Sequence, residues 1–155
     1  TPAQDAASIA SDASADAHAA TSPHLARPES GTELIAPQRQ GGGSLVVYNQ
    51  SKHDGVVALV TSGGSERAVY VRSGEQTTLA NVAAGRYRVR MAVGMDWIAS
   101  RFTRDAGYQE LEEPVDFIEG SDDHGVEYTR LTISLQPIVA GMHGVRATPP
   151  FQIVR

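Results

Sequence analysis

The stretch Gly85-Arg86-Tyr87-Arg88-Val89-Arg90-Met91-Ala92-Val93 decides the fold. Tyr87, Val89, Met91 and Val93 fall on every second position, with Arg86, Arg88 and Arg90 between them. Successive side chains of an extended chain point to opposite faces, so this alternation predicts a half-buried β-strand. Working outward, Leu131, Ile133 and Leu135 alternate with Arg130, Thr132 and Ser134 in the same way. Leu45-Val46-Val47-Tyr48, Val56 to Val60 and Ala68 to Val71 are apolar on both faces, which suits central strands or strands with a second covering layer. Turn residues fall between these runs, at Asn49 to Gly55, Ser62-Gly63-Gly64-Ser65, Ser73-Gly74, Ala84-Gly85 and Gly141 to Gly144. No helical period intervenes. The pattern predicts an all-β domain, a small antiparallel β-sandwich or partly open barrel of about seven to eight strands.

Upstream the composition changes. Residues Thr1 to Ser22 hold nine Ala, four Ser and three Asp, with Ile9 as the only large aliphatic. Alanine favours a helix over Ala6 to Ala20, while Asp and Ser weaken it and isolated helices of this length are marginal. Pro23, Pro28 and Pro37 favour extended chain beyond it. Leu34-Ile35 is an apolar pair suited to adding as a short strand at a sheet edge. The expected organisation is a polar arm over 1–40, a glycine linker over 41–43 and the β-sandwich over 44–155. By composition the arm reads as a disordered leader. Its other reading is a segment that orders on neighbouring chains, because Ile9, Leu25, Leu34 and Ile35 are too few to offset the backbone entropy of ordering it on one small domain.

The formal net charge is −5, with 18 acidic and 13 basic residues, which argues against nucleic-acid binding as the main activity. No run approaches the roughly 20 consecutive apolar residues of a membrane span. The absence of cysteine removes disulfides, thiolate catalysis and thiolate-ligated metals. A chain that starts at Thr1 without an apolar leader fits an exported protein whose signal peptide is gone, so a periplasmic or extracellular location is expected.

The run Val69-Tyr70-Val71-Arg72, then Gly74 to Val89 with Leu79, Val82, Gly85, Tyr87 and Val89 in an L-x-x-V-x-x-G-x-Y-x-V arrangement, resembles the core of PEGA-like and carboxypeptidase-regulatory-like modules. Those are small transthyretin-like sandwiches of bacterial envelope proteins. The resemblance covers Leu45 to Val93 and implies a prealbumin-type fold with a binding or structural role, no active site and no cofactor. Met95 to Glu127 departs from it, with only sparse strand signals.

The densest set of potential ligands is Glu110, Glu112, Glu113, Asp116, Glu119, Asp122, Asp123, His124 and Glu127. It lacks the spacing of a calcium loop and reads as a solvated acidic loop. His18, His24, His53, His124 and His143 form no zinc-type pair, and no G-x-S-x-G elbow is present. Arg86, Arg88 and Arg90, with Arg72 on an adjacent strand, make a basic stripe: a solvated face, or a docking site for an acidic protein surface or anionic headgroups. Trp97 reads as a core ring. A rival reading makes Trp97, Phe102 and Tyr108 stacking surfaces of a carbohydrate- or small-ligand-binding module.

The expectation is a non-catalytic accessory or structural subunit of a larger extracytoplasmic, membrane-associated assembly. Ile9, Leu25, Leu34, Ile35, Arg86, Arg88 and Arg90 are its expected contacts with other protein subunits, and no metal or cofactor is expected.

Overall fold

A computed structural model describes residues 27–136, 145–149 and 151. The expected arm contacts Ile9 and Leu25 lie outside these, as do His18, His24 and His143. Eleven strands follow one another among the described residues: β1 Gly43–Asn49, β2 Asp54–Thr61, β3 Gly64–Val71, β4 Gln76–Val82, β5 Gly85–Ile98, β6 Arg101–Leu111, β7 Val115–Phe117, β8 Glu119–Asp122, β9 Gly125–Tyr128, β10 Arg130–Leu135 and β11 Val145–Ala147. The fold is all-β, with more strands than the seven or eight expected because the stretch after Met95 is itself largely strand.

Two sheets face each other. One has the order β10-β1-β4, the other β11-β6-β5-β2-β3, with β7 alongside the start of β5. Pairing is antiparallel except between β1 and β10, which run parallel, Leu45 beside Leu131 and Val47 beside Ile133. The core between the sheets takes Leu45, Val47, Leu79, Val82, Ile133 and Leu135 from the first, and Val57, Leu59, Val69, Val71, Tyr87, Val89 and Met91 from the second. Tyr87, Val89, Met91, Ile133 and Leu135 are the inward members of the two predicted alternations. The L-x-x-V-x-x-G-x-Y-x-V run spans the corner where the chain leaves β4 in one sheet for β5 in the other. There the Tyr87 hydroxyl donates to the Ala83 carbonyl at 2.7 Å, pinning the corner from inside.

β2 and β3 are apolar on both faces because the larger sheet has a second cover. Val56, Ala58, Val60, Ala68, Tyr70 and Ala92 form an outer cluster with Ile35 and Phe102, against which Leu34, Trp97, Tyr108 and Phe151 pack. Part of this cover is the arm. Gly31 donates to the Tyr70 carbonyl, Tyr70 to Thr32 and Leu34 to Ala68, so residues 31–34 extend the sheet edge beyond β3. The contact is a single isolated bridge, Glu33 opposite Val69, and Leu34-Ile35 bend away from it without forming a strand. Leu34 and Ile35, expected as contacts for other subunits, are instead part of this domain's cover, and Ile35 is buried.

Charged contacts fasten the same segment: Arg27 to Asp54, Arg39 to Glu66 and Glu33 to Arg67. The Arg67 side chain is only 4% exposed and also donates to the Ala80 and Asn81 carbonyls of the opposite sheet's margin. Residues 27–40 thus pack with the sandwich, although composition groups them with the arm. Gly41 to Gly43 act as close-approach positions here, in place of a slack linker. Gly41 donates to Asn81, a Cβ on Gly42 would run into the Tyr128 ring, and one on Gly43 would lie 2.7 Å from the Phe117 ring. Only a residue without a side chain fits.

Candidate interaction surface

The alternation that buries Tyr87, Val89 and Met91 turns Arg86, Arg88 and Arg90 onto the outer face of the larger sheet. Opposite them on β2, Val60 pairs with Arg88 and Ala58 with Arg90. On the other flank, Glu110 of β6 pairs with Arg90, and Arg146 of β11 pairs with Glu110. Glu110 is the centre of this arrangement. Arg88 Nη1 lies 3.1 Å from it, Arg146 Nη2 3.2 Å and Arg90 Nε 3.8 Å, and its side chain is 5% exposed. Burial would raise the Glu110 carboxyl, but Arg88 and Arg146, with Arg90 behind them, hold it below the ordinary glutamate range.

Three guanidinium groups thus meet one carboxylate, so the face stays positive after its internal pairing. Arg90 Nε has no hydrogen-bond partner, and its guanidinium lies over the Phe151 ring at 5.7 Å. Arg86 is paired more loosely, 3.7 Å from Asp116 with both side chains well exposed. A groove of about 500 Å³ runs beside these arginines, floored and walled by Val60, Thr61, Ser62, Tyr87 and Pro114. Arg72 does not join the stripe. It shares the sheet face, but β3 lies parallel to β5 across β2, so Arg72 sits at the level of Gly94 and binds the Pro28 and Arg27 carbonyls.

A second cleft, of about 280 Å³, opens at the other end of β5 between Arg27, Lys52, His53, Asp54, Tyr70, Ser73 and Met95 to Trp97. Asp54 is its most connected group. Arg27 grips it with two bonds of 2.6 and 2.8 Å, the Tyr70 hydroxyl donates at 2.7 Å and the Ser73 N–H at 2.9 Å. Burial raises the carboxyl, and these four donations overcome it and hold it at about 2. A carboxylate so saturated is a structural tie, with little basicity left for proton transfer. Tyr70 is correspondingly pushed up by burial and by the Asp54 charge.

The rings proposed as stacking surfaces do not share one exposed face. Phe102 is buried, Trp97 packs on Phe102 and Tyr70 at 4.8 and 5.5 Å, and Tyr108 packs on Phe151 at 5.3 Å. The acidic stretch is not a loop either. Glu110 ends inside β6, Asp116 lies in β7, and Glu119 accepts from the Gly42 N–H at 2.9 Å. Among the described residues no three histidine, aspartate or glutamate side chains gather around a point where a metal ion would sit.

One surface escaped the sequence reading. The β8–β9 hairpin stands outside both main sheets and exposes large apolar side chains: Ile118 is 68% exposed, Val126 57% and Tyr128 51%. A shallow hollow of about 230 Å³ lies between Ile118, Gly120 and Glu127 to Thr129. Thr129 ties the hairpin base by accepting from the Ile118 N–H at 2.8 Å, and Tyr128 is seated on Gly42. The signal in the sequence was the apolar alternation Val126, Tyr128 within an otherwise acidic stretch.

No helix among the described residues is long and apolar enough to cross a membrane. No protein-family model, curated protein or solved structure matches this chain.

Proposed function

We propose that the chain is a non-catalytic accessory or structural subunit of a larger extracytoplasmic, membrane-associated protein assembly, a transthyretin-like sandwich that presents contact surfaces to its neighbours. The observation that carries this reading is the β8–β9 hairpin, where Ile118, Val126 and Tyr128 stay open to solvent although the fold has two apolar clusters to take such side chains. Exposed large apolar side chains gathered on one small hairpin, Val126 and Tyr128 on one face and Ile118 at its base, mark a site of association. The hairpin's seat on Gly42 favours the same reading, since a surface held in shape loses less entropy on docking. The corner pinned by Tyr87 supports the transthyretin-like resemblance on the residues that carry it.

The test is replacement of Ile118 and Val126 by Asp in the full-length protein expressed in its source. Both side chains are exposed, so the isolated domain should melt as the wild type does. Loss of the protein's larger native complex with unchanged melting supports the reading; an unchanged complex refutes the hairpin as its contact.

A further inference from the structure

The arginine face has a spacing as well as a charge. Arg86, Arg88 and Arg90 are alternate residues of one strand, so neighbouring guanidinium stems leave the backbone about 6.6 Å apart. Any extended polypeptide laid along them repeats its own alternate side chains at the same interval. The groove beside them has Val60 and Pro114 as its apolar parts and no carboxylate in its lining. Glu110 sits beneath, shared among Arg88, Arg90 and Arg146, and leaves most of their N–H donors unassigned to it. Arg86 is held only by an exposed, long ion pair that a competing carboxylate can displace.

We propose that this groove binds an extended acidic segment of a partner protein, with carboxylates at alternate positions that engage Arg86 and Arg88 while the intervening residues lie over Val60 and Pro114. Glu110 positions Arg88, and Arg90 and Arg146 keep the face positive. The proposal rests on the reading of the chain as an assembly subunit, and it concerns a surface separate from the β8–β9 hairpin.

The experiment uses the full chain and a fluorescein-labelled nine-residue peptide of alternating Glu and Thr, read by anisotropy. Binding is expected at low salt, weakening as ionic strength rises. The R86Q/R88Q variant, altered only at exposed side chains, should bind about tenfold more weakly with unchanged circular dichroism. The charge-reversed R86E/R88E variant should instead prefer an alternating Lys-Thr peptide. A peptide with the same number of Glu in one block should bind several-fold less well. The proposal is overturned if the R86Q/R88Q variant binds as the wild type does, or if the alternating and block peptides bind alike. It also fails if the wild type ignores both and binds phosphatidylglycerol vesicles, or if millimolar inorganic phosphate displaces the alternating peptide completely. The I118D/V126D variant should still bind the peptide. Loss of native assembly in that variant with peptide binding intact, or the reverse, separates the two claims.

Discussion

Replacing Asp54 with Asn keeps the side chain's shape and removes the charge on which Arg27, Tyr70 and Ser73 converge. An amide offers one accepting oxygen and turns an N–H₂ group toward donors that a carboxylate satisfied on both sides. Hydrogen bonds to a charged group are worth roughly 1.5–3 kcal/mol when sheltered. The Arg27 side chain is half exposed, so its share is screened to about 0.5–1 kcal/mol. With the Tyr70 and Ser73 donations included, the expected loss is about 2–3 kcal/mol at neutral pH. Trp97, the only tryptophan, packs on Tyr70 and reports urea unfolding directly. The pH dependence gives a second, sharper readout. The folded carboxyl sits at about 2, below its unfolded value near 3.9, so its stabilisation is complete above about pH 4 and disappears as pH falls through 2. D54N lacks this titration, and the gap between the two proteins should close over that window. Equal stability at pH 7 within about 0.5 kcal/mol, or a gap that persists unchanged to pH 2, would show that Asp54 is not the charged tie described.

The two-residue turn between β5 and β6 places Ala99 at φ 51° and Ser100 at φ 62°, the left-handed conformation that Asn and Gly tolerate better, so A99N/S100G should raise stability by about 1 kcal/mol in the same urea assay. Removal of residues 1–40 discards Ile35, the edge hydrogen bonds and the carboxylate partner of buried Arg67, and should cost about 3–5 kcal/mol in calorimetric stability.

What the sequence disclosed was whatever its alternation expressed. The inward residues of β5 and β10 are those the period-two pattern selects, while the runs of β1, β2 and β3, apolar on both faces, mark the strands without saying which side faces the core. β6 was obscured because Asp105 takes a positive φ opposite an irregularity between Val93 and Met95, so the buried phase shifts between Phe102 and Gln109. Glu110 looked solvated from its acidic neighbours, and only strand pairing reveals that Arg88, Arg90 and Arg146 surround it. The docking of residues 27–40 was invisible for a related reason. Besides Ile35 and the edge hydrogen bonds, it is made by ion pairs between positions far apart in the chain, and a polar composition looks the same whether its charges meet partners or water. The glycine run carried a similar ambiguity, since slack and close approach both call for a missing side chain.

The most direct test of the subunit reading is the native size of the protein in extracts of its source, compared between wild type and I118D/V126D by sedimentation. The wild type should sediment as a particle well above the monomer, and the variant at monomer size with an unaltered melting curve. A wild-type protein that sediments as a free monomer would contradict it.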